Sequence, residues 1–249
     1  MFQAGPFTLY SYGLFIAIAF LLSAILMLRD SRRFGMPADA VFDCLITIMI
    51  GGLIGGRLLF VFINWEFYLR YPLRAIMFYE GGLAFQGAFV AAVLSGAVVA
   101  RAKKIPFWKM SDLVAPYIAL GQAIGRIGCF LNGCCYGRVI EKGIGVTFPA
   151  ETVMRIPTQL YSSMLLMVIF VALIAIREKR RFDGCVFIVY VLLYAAFRFC
   201  IDFLRGDDLA MVLGIRLSQA ISIGMFISAA AAYIILSNAN KRREKMRDA

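Results

Sequence analysis

The sequence predicts an all-α, polytopic membrane protein with seven transmembrane helices, its N-terminus outside and its C-terminus cytoplasmic. Three observations carry that expectation. Of 249 residues, 62% are hydrophobic and only 16% charged, against an apolar share of roughly 45–50% in an average soluble domain. Seven apolar stretches are each long enough to cross about 30 Å of hydrocarbon, which takes about 20 helical residues. The 26 Lys and Arg residues punctuate these stretches, whereas nucleic-acid binding needs them gathered in one exposed patch. The chain also has no histidine, which excludes the Ser-His-Asp triad and every His-ligated metal site.

In chain order, the first stretch, 10–28, is longer than a signal-peptide core and no small-residue cleavage site follows it, so it reads as a helix. A basic segment, 29–40, leads to the second stretch, 41–62, which contains Arg57. Trp65, Tyr68 and Tyr71 in the next connection, and Phe107 with Trp108 after the 83–100 stretch, read as interfacial aromatic belts. The fourth stretch, 113–131, carries Arg126. After it comes the longest hydrophilic connection, 132–159, whose length suits a structured outer cap over a site. The stretches 160–176, 185–201 (holding Arg198) and 217–236 complete the set, and 238–249 reads as a basic cytoplasmic tail near anionic lipid. The expected organisation is a single transmembrane domain over 1–249.

Charge sets the orientation. Segments 29–40, 101–112, 177–184 and 237–249 hold 16 Lys and Arg, and the opposite side holds seven; the richer side is cytoplasmic. Three basic residues remain, Arg57, Arg126 and Arg198. An arginine at membrane depth costs at least about 2.5–3.5 kcal/mol on insertion scales, so each should face protein or water and have a partner, unless it snorkels from a helix end. With the N-terminus outside, all three fall towards the outer ends of their helices, as do Tyr10–Gly13 and Gly81–Gly87. A cationic cluster at that depth suits an anionic headgroup, and phosphate is the natural guest of guanidinium forks.

The stretch Gly125-Arg126-Ile127-Gly128-Cys129-Phe130-Leu131-Asn132-Gly133-Cys134-Cys135-Tyr136-Gly137 combines close-packing glycines with a cation, an amide and a hydroxyl. It resembles the signature of the prolipoprotein diacylglyceryl transferase family, commonly G-R-x-G-N-F-x-N-x-E-x-x-G. Tyr10-Ser11-Tyr12-Gly13-Leu14 resembles that family's aromatic-Tyr-Gly entry to its first helix. Gly55-Gly56-Arg57-Leu58 is similar to its G-G-R motif, and Gly81-Gly82-Leu83-Ala84-Phe85-Gln86-Gly87 to its G-G-[LM]-[SA]-F-H-G motif. Pro157-Thr158-Gln159-Leu160-Tyr161 and the run from Tyr194 to Arg205 complete a collinear series.

The resemblance implies a single transferase domain in the bacterial inner membrane with its site towards the outer face. It implies transfer of a diacylglyceryl group from phosphatidylglycerol to the lipobox cysteine thiol in the signal-peptide region of a prolipoprotein. Glycerol phosphate is released, and neither a cofactor nor nucleic acid is involved. A thiol must become a thiolate to attack, so Arg126 and Arg198 can lower its pKa while stabilising charge on the leaving phosphate. Tyr12 and Tyr194 are base candidates, with Asp202 and Glu80 behind them. Arg57 orients the headgroup or pairs with Asp202 or Glu80; Gly82, Asn132, Gly137, Cys129 and Cys134 complete the expected substrate-binding set.

Three positions depart from the family pattern. Gln86 stands where the motif has histidine, Cys129 replaces its first asparagine, and Cys134 its glutamate. Gln86 takes no proton at neutral pH, but its amide can donate to a phosphate or ester oxygen. The trio Cys129, Cys134 and Cys135 is open to four readings: small residues at a tight helix end, a disulfide, a catalytic thiol, or metal ligands. No metal site is assigned, because C-x4-C-C suggests poor tetrahedral geometry and no histidine completes the set. Cys44, Cys185 and Cys200 read as buried small hydrophobes. Two other readings follow from the departures: a divergent phospholipid-dependent transferase acting on another acceptor, and a non-catalytic lipid-binding membrane protein.

Overall fold

Long runs of Leu, Ile, Val, Phe and Ala can satisfy their own backbone in lipid only as helices, and helices dominate the computed structural model. It describes residues 2–4, 7–9, 11–77, 82–148, 152–206, 211–212 and 215–247. Tyr10, Glu80 and Gly81 lie outside the described residues. Gln86 sits in the first turn of a helix, with its side chain outside the description.

The helices are α1 (Ser11–Ser31), α2 (Ala38–Ile63), α3 (Trp65–Arg70), α4 (Phe85–Ala102), α5 (Phe107–Leu131), α6 (Thr158–Arg177), α7 (Cys185–Asp202) and α8 (Leu217–Arg247). Three antiparallel strand pairs accompany them: β1 (Phe2–Ala4) with β2 (Phe7–Leu9), β3 (Val146–Thr147) with β4 (Met154–Arg155), and β5 (Met211–Val212) with β6 (Ile215–Arg216). Among the described residues six helices, α1, α2, α5, α6, α7 and α8, are long and apolar enough to cross a membrane, and α4 contributes a shorter apolar stretch, Gly87–Ala102. The sequence predicts seven spans, one more than the six helices that qualify here; the other differences are local. Helix α5 begins six residues early, at Phe107, and α8 continues through most of the basic tail. The aromatic residues after α2 form a helix of their own, α3.

The chain divides into two compact units, Leu28–Met110 and Met1–Met27 with Ser111–Ala249. In the first, α2 and α4 pack through small residues. A Cβ on Gly55 would meet the Gly87 carbonyl oxygen at 2.6 Å, and one on Gly56 would meet Ala88 at 3.1 Å. That approach is the small-residue packing on which helix association in lipid depends. The Ala84 amide extends it by donating to the Gly56 carbonyl at 2.9 Å.

In the second unit, α5, α6 and α7 share a buried core of Ala115, Ala119, Ala123, Leu166, Ile169, Leu173, Val186, Tyr190, Phe197 and Ile201. The alanines recur every four residues and give α5 a flat face. Ser163 on α6 uses that closeness to donate to the Ala123 carbonyl at 2.8 Å. Buried Asp112 accepts from the Gly184 and Phe187 amides at 2.8 and 2.9 Å, so a carboxylate caps the positive end of α7. Outward residues such as Leu21, Val168, Val171, Ile227 and Ile235 are exposed and apolar, as a lipid-facing surface requires.

Candidate functional site

The C-terminus of α5 builds the centre of the site. Gly133 takes a left-handed conformation, φ +66. Its amide donates to the Phe130 carbonyl at 3.1 Å, and the Cys134 amide donates to the Cys129 carbonyl at 3.1 Å. These two bonds define a Schellman motif, in which the residues five apart, here Cys129 and Cys134, are brought side by side. Cys135 then also adopts a positive φ, +62, folding its side chain back towards them. The three Sγ atoms lie within 4.8 Å of one another. The turn thus brings together three sulfurs that are spread over seven residues of sequence.

Two buried residues at the start of α6 fix this turn from beneath. Gln159 donates to the Cys134 carbonyl at 2.7 Å, and the Thr158 hydroxyl donates to the Cys135 carbonyl at 3.0 Å. The following segment is also tied down. The Gly137 amide donates to the Ile156 carbonyl and the Arg138 amide to the Leu204 carbonyl, both at 2.9 Å. Gly137 and Arg205 form a bridge, and Arg155 stacks over Tyr136 at 4.3 Å. The connection after α5 is therefore strand-paired, although Pro149, Ala150 and Glu151 lie outside the described residues.

All six cysteines are free, so the disulfide reading of the trio is not the state observed. Hydrogen bonding from Cys129 pulls the Cys135 thiol down to about 5, helped by Cys134, Arg126 and Arg205, against burial that pushes it up. Burial raises the Cys134 thiol, the charge of Cys135 adds to the rise, and the Asn132 amide hydrogen-bonds it. Cys44 and Cys185 are buried as expected, whereas Cys200, expected to be buried, is exposed on α7.

Two helix faces complete the site within this unit. On α1, Tyr12 packs against Gly128, where a Cβ would meet the Phe15 Cβ at 3.0 Å and Tyr12 at 3.5 Å. Tyr12 shares an electrostatic neighbourhood with Arg126, Cys129, Cys134 and Cys135. On α7, Tyr190, Tyr194, Arg198 and Asp202 recur every four residues and form one stripe. The Tyr190 hydroxyl donates to Gln122 at 3.0 Å, and the Tyr190 and Tyr194 rings lie 5.8 Å apart. Arg198 adjoins Tyr194, Asp202, Arg205 and Arg126. Asp202 is fully buried, paired to Arg198 at 3.2 Å. Its own carbonyl accepts from Arg216, which also reaches the Arg205 carbonyl at 3.3 Å.

Arg57 belongs to the other unit and is only 3% exposed. Its guanidinium donates to the carbonyls of Ala75 at 2.9 Å, Gly82 at 3.0 Å and Met77 at 3.1 Å, and to that of Arg74. It also stacks against Phe60 and Tyr68. Of the two partners expected for it, Asp202 pairs with Arg198 within its own unit, and Glu80 is outside the described residues. Sequence reasoning did not single out Gln122, Tyr190 or Arg216, nor assign Gln159 a role. Of these, Gln122 had a signal, lying one helical turn before Arg126 inside an apolar stretch.

Residues 1–235 match the family described as prolipoprotein diacylglyceryl transferase. The chain is 33% identical over 253 residues to a Bacillus cereus (strain G9842) protein named phosphatidylglycerol--prolipoprotein diacylglyceryl transferase, covering 96% of this chain and 93% of that protein. It is 34% identical over 244 residues to the Geobacter sulfurreducens protein of the same name, covering 95% and 94%. A Bacillus licheniformis protein of that name is 32% identical over 240 residues, covering 92% and 89%. With its site at the end of α5 and its similarity running almost end to end, the chain belongs to the prolipoprotein diacylglyceryl transferase family.

Proposed function

We propose that the protein transfers a diacylglyceryl group from phosphatidylglycerol to the lipobox cysteine thiol of a prolipoprotein, releasing glycerol phosphate during lipoprotein maturation. The observation that carries this reading is the meeting of Tyr12, Arg126 and three thiols with the Tyr194–Arg198–Asp202 face of α7. That constellation lies in a chain matching the family over residues 1–235.

The acceptor sulfur attacks the glyceryl carbon as the bond from that carbon to the phosphate oxygen breaks. The electron pair leaves on the phosphate. Positive charge at Arg126 and Arg198 favours the thiolate before attack and the phosphate after it, so the same groups serve both ends of the step. Tyr12 and Tyr194 relay the thiol proton to solvent, and Asp202 holds Arg198. Asn132 and the Gly137 backbone contribute to headgroup binding. Arg57 acts by holding the carbonyls of Arg74, Ala75, Met77 and Gly82.

The topology we assign has α4 as a seventh span, the N-terminus outside and the C-terminus cytoplasmic, in a bacterial inner membrane. Its support is the 16-to-7 bias of Lys and Arg between alternate connections. The strand-paired 132–159 connection then caps an outward-facing site.

The test is the full chain purified in detergent, incubated with phosphatidylglycerol and a lipobox peptide across pH 6 to 9, with mass spectrometry of the peptide. A diacylglyceryl adduct dependent on protein and lipid is expected. No adduct above the protein-free control overturns the reading. The departures at Gln86, Cys129 and Cys134 favour one competing account, an acceptor other than a lipobox thiol, which predicts lipid turnover without peptide modification.

A further inference from the structure

We propose that Cys129, Cys134 and Cys135 form a three-thiolate site for Zn²⁺ whose open fourth position takes the acceptor thiol. The inference rests on the transferase reading above for its last step only; the metal site stands or falls separately.

The geometry is built into the backbone. The Schellman turn sets Cys129 beside Cys134, the left-handed Cys135 brings the third sulfur to them, and all three Sγ atoms lie within 4.8 Å. A Zn–S bond is about 2.3 Å, so sulfurs around one tetrahedral ion sit about 3.8 Å apart. Side-chain rotation of about 1 Å closes that gap. Thr158 and Gln159 hold the Cys134 and Cys135 carbonyls, which fixes the turn before any ion arrives. No other group of three or more His, Cys, Asp or Glu among the described residues brings its ligand atoms together. Three protein ligands with one position open is the arrangement of a catalytic zinc, whereas structural zinc takes four. Soft thiolates also favour such an ion over Mg²⁺ or Ca²⁺.

The charges balance. Zn²⁺ displaces three thiol protons to solvent, leaving a centre of net charge −1. An acceptor thiol entering the fourth position also gives its proton to solvent, because a thiol bound to zinc is deprotonated outright. The centre then carries −2, beside Arg126 and Arg205, which both act on Cys135. Attack of the bound sulfur on the glyceryl carbon breaks the bond to the phosphate oxygen, which leaves with the electron pair as glycerol phosphate. The product is a neutral thioether, a poorer zinc ligand than a thiolate, and it departs. This site supplies the thiolate without the histidine that Gln86 replaces. It also assigns one purpose to Cys129 and Cys134, the two cysteines standing at family Asn and Glu positions.

The test uses the full chain purified without chelating resin under reducing conditions. Elemental analysis should find about one zinc per chain, as a single three-thiolate site requires. Cobalt exchanged into the site should give an intense thiolate-to-cobalt charge-transfer band. Cys129→Ser, Cys134→Ser and Cys135→Ser should each weaken it. A lipobox peptide should intensify it, and the same peptide with serine for cysteine should not. Absence of zinc and of the cobalt band in the wild-type chain overturns the site, as does undiminished binding in the triple serine variant or a disulfide within the trio. A band unmoved by the thiol peptide overturns the open position. Metal bound as described with no adduct from phosphatidylglycerol keeps the site and sinks the transferase reading. Unchanged transfer after zinc removal keeps the transferase reading and overturns the zinc's part in it.

Discussion

Asp202 and Arg198 form an ion pair at 3.2 Å, one helical turn apart on α7, with the carboxylate wholly buried. Among the described residues neither Asp202 carboxylate oxygen accepts a hydrogen bond, which leaves the ion pair with Arg198 to balance its charge. Asp202→Ala leaves Arg198 unmatched and should cost about 3–5 kcal/mol, the usual penalty for breaking a buried pair. Replacing both with apolar residues, Arg198→Met and Asp202→Leu together, should recover most of that stability and none of the turnover. Denaturation in detergent beside the adduct assay checks both halves. Equal stability of Asp202→Ala and wild type would refute the pairing's role.

Arg126 stands among the thiols, Tyr12 and Arg198. Arg126→Ala should lower adduct formation by about 10²–10³-fold, the usual cost of losing one donor aimed at developing charge. Arg126→Lys should recover only part, since a point charge cannot present two parallel donors to a phosphate. Unimpaired turnover in Arg126→Ala would remove it from the mechanism.

The three arginines within apolar stretches were legible because charge there needs a reason, and counting basic residues by connection left only them. What each one touches was not legible. Arg198 meets a carboxylate, whereas Arg57 gathers the backbone carbonyls of Arg74, Ala75, Met77 and Gly82, and nothing in the string GGRL distinguishes the two. The helices were readable for the same physical reason, with α4 the weakest because its apolar run is the shortest. The thiol cluster could have been read: a glycine at the helix end makes Cys129 and Cys134 the facing pair of a Schellman motif. Long-range polar contacts such as Tyr190 to Gln122 leave no periodic trace.

Gln159 offers a test of that turn. Its buried amide donates to the Cys134 carbonyl at 2.7 Å. Gln159→Leu keeps the volume and orphans the carbonyl, for a cost of about 1–3 kcal/mol. Because the strap sets where Cys134 and Cys135 point, the difference in their alkylation rates should also shrink. A stability loss with the alkylation pattern unchanged would mean Gln159 supports α6 and not the thiols.

The Cys135 thiol, pulled down to about 5, and the raised Cys134 thiol predict opposite pH behaviour in the metal-free chain. A depressed pKa keeps the thiolate present above that value and loses it as pH falls through it. Brief iodoacetamide treatment after chelation should therefore modify Cys135 at pH 6 and 7, with its rate falling below about pH 5. Cys134 should need alkaline pH. Peptide mapping by mass spectrometry checks the order. Equal rates at pH 6 would contradict it.

Gln86→His restores the family residue and weighs two sources of thiol activation against each other. A positioned general base contributes about 10²–10⁴-fold. If the chain simply lacks one, histidine should raise adduct formation by about that factor, most strongly near neutral pH. If the Cys129–Cys134–Cys135 centre already provides the thiolate, the gain should stay below about tenfold, because a deprotonated sulfur has no proton for a base to take. We expect the smaller effect, with turnover in Gln86→His remaining sensitive to zinc removal. A gain of 10²-fold or more that persists after zinc removal would return thiol activation to the histidine position and leave the three cysteines without a catalytic part.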